Sequence, residues 1–185
     1  MASTYTPLGV EKMATGENAG TWGTKTNVNL QIIEQISGGY KVQTLNTDGA
    51  GANTTALVAS DGSTGATMAS RVIIMGAVSA QAITGNKILT MPVLTENFYL
   101  IKNSTSGAYT VQLKAASGSG ATVTWGTTDK DWKLIYFDGV ATNTGVYDLG
   151  LTTAANTQTL TNKTLTSPKI GTSILDTNGL QLALL

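Results

Sequence analysis

The chain of 185 residues contains no cysteine and no histidine. The missing cysteine excludes disulfides, thiolate nucleophiles and thiolate metal ligands, and the missing histidine removes the commonest general base and transition-metal ligand. Only 12% of the residues are charged, and eleven basic residues balance eleven acidic ones. Because no basic stripe is available to displace counterions from phosphates, we expect no nucleic-acid partner.

Long apolar runs are also missing from the sequence. No run approaches the roughly 18 apolar residues of a transmembrane helix, so no membrane partner is expected. The residues after Met1 lack the basic and apolar regions of a secretory signal peptide. The few glutamates, Glu11, Glu17, Glu34 and Glu96, adjoin no apolar cleft motif that would pair acids for glycoside cleavage. We therefore predict no enzyme, no catalytic residues, no metal and no cofactor.

Threonine is abundant instead, at about one residue in six, and suits solvated strand faces. Four short runs separated by turn residues lie between Asn97 and Asp138, with period-two alternation at 109–114 and 132–137. This pattern predicts a half-buried antiparallel meander. Weaker candidate strands precede it at 41–45, 56–59, 71–75 and 87–91. Together the runs predict a mainly β protein, with an antiparallel β-sandwich or jelly-roll-like domain over residues 40–151.

Residues 1–39 are expected to hold a loose arm followed by one short helix of about three turns. Thr26 or Asn27 is expected to cap the helix, and Gly38 to end it in the left-handed conformation. A single apolar stripe is predicted from Val28, Ile32, Ile33 and Ile36.

The arm and helix together, residues 1–36, are also the predicted docking device, because exposed apolar patches generally mark interfaces. Trp22 is the natural anchor, Leu30 lies off the main stripe, and Asn27 and Asn29 could add directional hydrogen bonds. The predicted docking residues are Trp22, Asn27, Asn29, Leu30 and Ile33. The alternative is that the helix completes the core of its own domain and that Asn27 is only the cap.

Residues 152–185 have a different character, with few apolar side chains spread over their first twenty positions. Ordering twenty backbones costs about 20–40 kcal/mol. Burying Leu160, Leu165, Pro168 and Ile170 returns only about 10 kcal/mol. Order therefore requires contacts with other copies of the chain, and we predict an extended oligomerising stem through these four residues.

Three weaker candidates for ligand binding each have a simpler interpretation. The glycine-rich run 48–53 lacks the Gly-Lys-Ser/Thr ending of a phosphate loop, so a turn is favoured. Asp129 and Asp131 could bind Ca²⁺, but two carboxylates without a glycine-containing loop favour a solvated turn. Trp125, Trp132 and Tyr136 could stack on a sugar, although their spacing favours core or interface packing.

Three segments resemble bacteriophage tail-fibre and related fibrous virion proteins. Residues 159–170 (TLTNKTLTSPKI) closely resemble a segment that precedes a trimeric shaft in those proteins. Residues 21–30 (TWGTKTNVNL) resemble the opening of similar proteins of marine phages, and residues 103–111 (NSTSGAYTV) resemble their β-domain. In such proteins, residues like 174–179 begin a long distal region.

The resemblance implies a homotrimer whose C-terminal stem begins a longer shaft. It implies a structural virion protein, the tail-fibre region that attaches the fibre to other tail proteins, such as an adaptor or nozzle, for host adsorption. Contact with host surface glycans would then be only indirect. The alternatives are a head fibre or capsid decoration protein, and, in a different class, a carbohydrate-binding adhesin module.

Overall fold

The computed structural model describes residues 2–46 and 53–150. The predicted stem and most of the glycine-rich run 48–53 lie outside the described residues. The described part forms one compact unit that is mainly β, which confirms the predicted class. It contains helix α1 (Trp22–Gly38) and a 3-10 turn (Thr67–Ala69). The strands are β1 (Thr4–Tyr5), β2 (Glu11–Lys12), β3 (Tyr40–Gln43), β4 (Thr54–Ala56), β5 (Val72–Ala82), β6 (Lys87–Met91), β7 (Glu96–Ser106), β8 (Val111–Ala115), β9 (Val123–Trp125), β10 (Trp132–Asp138) and β11 (Val146–Asp148).

Two mixed sheets follow the small antiparallel hairpin β1–β2. One has five strands in the order β11-β10-β7-β5-β3, and the other has four in the order β4-β6-β8-β9. From β3 to β8, each strand lies in the sheet opposite to its predecessor. Among these six strands, neighbours within a sheet are therefore two steps apart in sequence, and the pairs β3–β5, β5–β7, β4–β6 and β6–β8 are all parallel.

The predicted purely antiparallel arrangement is therefore wrong. Of the predicted meander, only β8 and β9 form an antiparallel pair of consecutive strands. β7 pairs with β5 and β10 instead of β8, and β8 has β6 as its other neighbour. Gly107 contributes to the crossing between sheets. Its φ is +98°, and a Cβ at this position would lie 2.7 Å from the Ile83 carbonyl oxygen, so any other residue is disfavoured there. The chain crosses to the second sheet at this glycine instead of folding back beside β7.

The two sheets contribute to one hydrophobic core. Tyr99, Phe137 and Trp125 are its largest aromatic side chains, and all are fully buried. The rings of Tyr99 and Phe137 lie 5.2 Å apart. The Tyr99 hydroxyl donates a hydrogen bond to the Met68 carbonyl at 2.9 Å, and burial raises its pKa to about 12. Other members of the core are Leu57, Ile73, Met75, Leu89, Met91, Ile101, Val111, Leu113, Ile135 and Val146.

The helix differs from its prediction at both ends. It has 17 residues, or about five turns, and begins at Trp22 with Thr21 as an N-cap residue whose side chain makes no capping bond. Thr26 and Asn27 therefore lie inside the helix, and the predicted caps are wrong. Gly38 is the last helical residue, and Gly39 follows in an extended conformation rather than a left-handed one. A Cβ on Gly39 would lie 2.6 Å from the Gln35 backbone, so close packing explains the glycine.

The N-terminal arm is folded rather than loose. Leu8 packs against the main core and Val10 against the helix cluster. A Cβ on Gly9 would lie 2.2 Å from the Ser60 carbonyl oxygen, and the Gly9 carbonyl accepts a 2.8 Å hydrogen bond from the Gly62 N–H. The arm thus packs against a loop more than 50 residues away in the chain, and a contact of that kind leaves no periodic pattern in the sequence.

Candidate docking surface on the helix

The inner face of α1 holds the helix against the domain. Ile32 is fully buried with Ala66 and Ala69 around the 3-10 turn, and Val28 and Ile36 pack against the same cluster. Three of the four stripe residues are therefore placed as predicted. This face also agrees with the alternative interpretation, since the helix does complete a hydrophobic cluster of its own domain.

Another side of the helix, centred about 120° from the inner face on the helix circumference, exposes three large apolar residues. Trp22 is 64% exposed, Leu30 59% and Ile33 49%. The assignment of Ile33 to the buried stripe is therefore wrong. With about 100° between successive residues, the three side chains fall within an arc of about 80° on the helix circumference. We call Trp22, Leu30 and Ile33 the helix outer face.

The side-chain amide of Asn29 forms hydrogen bonds within the chain. Its Oδ1 accepts a hydrogen bond from the Glu11 N–H, and its Nδ2 donates to the Glu11 carbonyl, both at 2.9 Å. The amide thereby completes the backbone bonding of β2 and fastens the arm to the helix. Asn27, by contrast, is exposed and makes no such bond. Of the five predicted docking residues, only Trp22, Leu30, Ile33 and Asn27 present their side chains outward.

An ion pair reinforces this junction. The Lys25 ammonium lies 3.0 Å from a carboxylate oxygen of Glu11, whose side chain is only 4% exposed, and Asn18 donates to the other oxygen at 3.1 Å. The hydrogen bond from Lys25 lowers the pKa of Glu11, against the opposing effect of burial. The same bond raises the pKa of Lys25. Sequence reasoning missed this pair, because the residues are 14 positions apart and belong to no periodic pattern.

An open cleft of about 800 Å³ lies beside the helix C-terminus, lined by Gln31, Glu34, Gln35, Ser37, Gly38, Gly39 and Thr64. Gln35 Oε1 accepts a hydrogen bond from the Gly65 N–H at 3.2 Å, which ties the helix to the loop between β4 and the 3-10 turn. The cleft has a single titratable side chain, that of Glu34. It offers hydrogen-bonding groups but no acid–base pair.

The predicted stem residues Leu160, Leu165, Pro168 and Ile170 lie outside the described residues. The turn with Asp129 and Asp131 is described, and both carboxylates act within the chain. Asp129 lies 3.0 Å from the Lys133 ammonium, and Asp131 accepts a hydrogen bond from the Trp132 N–H at 2.8 Å. Among residues 2–46 and 53–150, no group of three or more acidic side chains is arranged to hold a metal ion.

The three aromatic residues considered for sugar stacking do not share a surface. Trp125 is fully buried in the core, and its indole N–H donates to the Asp131 carbonyl at 3.1 Å. Trp132 and Tyr136 lie on the opposite side of the five-stranded sheet from the core, on β10. A platform made of all three residues is therefore wrong, because one member is inside the protein.

Within the described residues, no helix is both long and apolar enough to cross a membrane. No family model, curated protein or solved structure matches this chain.

Proposed function

We propose that this chain is a structural virion protein, the anchoring and trimerising region of a bacteriophage tail fibre. In this proposal the two sheets form a β-sandwich, residues 152–185 form the start of a trimeric stem, and the helix outer face docks on another tail protein. The protein acts in the phage tail and supports host adsorption without enzymatic chemistry.

The helix outer face is the observation that supports docking best. The inner face and the Asn29–Glu11 bonds hold the helix in place, so its exposed side is presented on a rigid element. Preorganisation of this kind lowers the entropy lost on binding. Burying the exposed parts of Trp22, Leu30 and Ile33 would contribute about 3 kcal/mol per copy.

Trimerisation would strengthen this modest contact. Three copies joined by their stems present three outer faces at once, and linked contacts raise the overall affinity by about 100-fold or more when the geometry allows simultaneous engagement. The resemblance of residues 159–170 to the segment before a trimeric shaft supports the same arrangement. The stem and the helix then have complementary roles, in assembly and in attachment.

The test is a triple variant of the helix outer face, with Trp22→Ser, Leu30→Gln and Ile33→Gln. The matched control carries Val78→Ser and Val140→Ser, two residues that are 69% and 52% exposed on other parts of the domain. Both proteins should keep the wild-type melting temperature. We expect the triple variant to be incorporated at least about tenfold less into purified particles, as a loss of about 1.4 kcal/mol per contact produces, and the control to be incorporated normally.

Quantitative immunoblotting of particles gives the occupancy, and antibody labelling in electron micrographs gives the location. Normal occupancy of the triple variant would refute docking through the helix. Labelling of heads instead of tails would replace the tail-fibre proposal with that of a capsid decoration protein.

A further inference from the structure

The five-stranded sheet has an apolar surface on the side away from the core. The strand registers place Phe98, Tyr136 and Tyr147 in one row across β7, β10 and β11. The next row runs across β3, β5, β7 and β10 and contains Tyr40, Val72, Leu100, Leu134 and, just after β11, Leu149. We call these eight residues the outer sheet face.

Several members of this face are largely open to solvent. Tyr40 is 52% exposed, Phe98 48%, Tyr147 44% and Leu149 56%. Because a large side chain has about 150–250 Å² of surface, these four alone expose roughly 400 Å². The largest contiguous apolar patch on a typical monomer covers about 300–600 Å² and is often a functional surface, so a patch of this size marks a candidate interface.

The four-stranded sheet provides an internal comparison. The equivalent row on its outer side contains Thr54, Ile88, Gln112 and Thr124, with a single apolar residue among four. That composition is what a solvated strand face requires. The two outer faces of one small domain therefore differ in kind, and only the outer sheet face has the composition of a buried surface.

We propose that the outer sheet face binds the same face of further copies of this chain. The place where the chain leaves the sheet favours a second copy of the chain as the partner of this face. Leu149 donates its N–H to the Leu134 carbonyl at 2.8 Å, at the edge of the face, and residues 151–185 follow immediately. Association of those segments between copies would hold this edge of each outer sheet face close to the same edge of another copy.

Charge and area agree with self-association. The Arg71 guanidinium lies 4.0 Å from the centroid of the Phe98 ring, and the Lys102 ammonium lies 5.8 Å from that of the Trp132 ring. Two acidic residues, Glu96 and Asp138, are cross-strand neighbours on β7 and β10. Two cations and two anions give the face no net charge that would repel a copy of itself. The exposed apolar area supplies about half of the roughly 800 Å² per partner of a standard interface, and the partly buried residues and polar rim can supply the rest.

This inference rests on the proposed function only in taking residues 151–185 as the segment that brings copies together. It is tested in solution, where a failure of tail docking has no effect. The natural absence of cysteine makes single-cysteine variants of the full chain directly informative. Phe98→Cys and Tyr147→Cys place a thiol on the outer sheet face, and Thr54→Cys and Thr124→Cys place one on the polar outer side of the other sheet.

Labelling rates with a maleimide, measured by mass spectrometry, report the accessibility of each thiol, and light scattering reports the mass. We expect an oligomeric mass, with labelling of the outer-sheet-face thiols about tenfold slower than that of the controls, as protection of about 1.4 kcal/mol produces. The double variant Phe98→Glu with Leu149→Glu should remove the protection of Tyr147→Cys.

Three results would overturn the proposal. Equal labelling of all four thiols in an oligomer would show that the stem alone joins the copies. Protection in a monomer would show that another segment of the same chain covers the face. Equal labelling in a monomer would leave the face to a different partner. Two positions on each side guard against a single variant that fails to fold.

Discussion

Replacing Asn29 by alanine tests how the arm is held to the helix. The substitution removes two hydrogen bonds of 2.9 Å and leaves the N–H and carbonyl of Glu11 without their side-chain partner in a partly buried position. Each bond contributes about 1 kcal/mol, and a buried group left unpaired costs about 1–3 kcal/mol. We therefore expect the free energy of unfolding to fall by about 2–4 kcal/mol through these contacts.

Asn27→Ala is the matched control. Asn27 lies on the same helix, is exposed and makes no comparable bond, so both substitutions gain the same helix propensity of roughly 0.6 kcal/mol. The difference between the two variants consequently isolates the contribution of the junction.

Urea unfolding at one fixed protein concentration measures both variants, since the stability of an oligomer depends on concentration. Hydrogen exchange should additionally show faster exchange around β1 and β2 in Asn29→Ala alone. Equal unfolding midpoints for the two variants would refute the role of Asn29. Unchanged exchange of the arm in Asn29→Ala would do the same.

Two further predictions concern pH and assembly. The pKa of Glu11 is lowered from its ordinary 4.5, so its ion pair with Lys25 contributes stability above that pH and loses it as pH falls through the lowered pKa. Between about pH 6 and pH 3 the melting temperature of the wild type should fall further than that of Glu11→Gln, and parallel curves would contradict this. Leu160→Asp with Leu165→Asp should reduce the trimeric mass measured by light scattering; a wild-type monomer, or an unchanged mass in the variant, would contradict the stem.

Strand positions were largely predictable because alternation is a local property. The predicted run 87–91 coincides with β6, and the run 71–75 falls within β5 except for its first residue. The period of two also separates the inner residues of β10, Ile135 and Phe137, from the outer ones. Side chains on successive strand residues must point to opposite faces, whatever the strand pairs with.

The exposed apolar surfaces of the helix and the sheet were only partly predictable, because sequence periodicity reports local structure alone. Composition and helical spacing indicated an apolar side containing Trp22 and Leu30, and both are exposed. The outer sheet face could not be found in this way. Its rows join residues from strands that are separated in the chain by strands of the other sheet, so Tyr40 and Leu149 become members of one surface only after folding.

The sequence by itself therefore determined the β-rich class, the positions of most strands and the apolar inner stripe of the helix, since each depends on neighbours within a few residues. Tertiary structure alone decided the parallel pairing, the folded arm and the bonds of Glu11 with Lys25 and Asn29. These depend on contacts between distant segments, and many pairings satisfy the same alternation. Close backbone approaches, such as Gly107 to the Ile83 carbonyl and Gly9 to Ser60, favour the observed pairing over the alternatives, because a larger residue would not fit there. These approaches form only in the folded chain, so the sequence pattern does not reveal them.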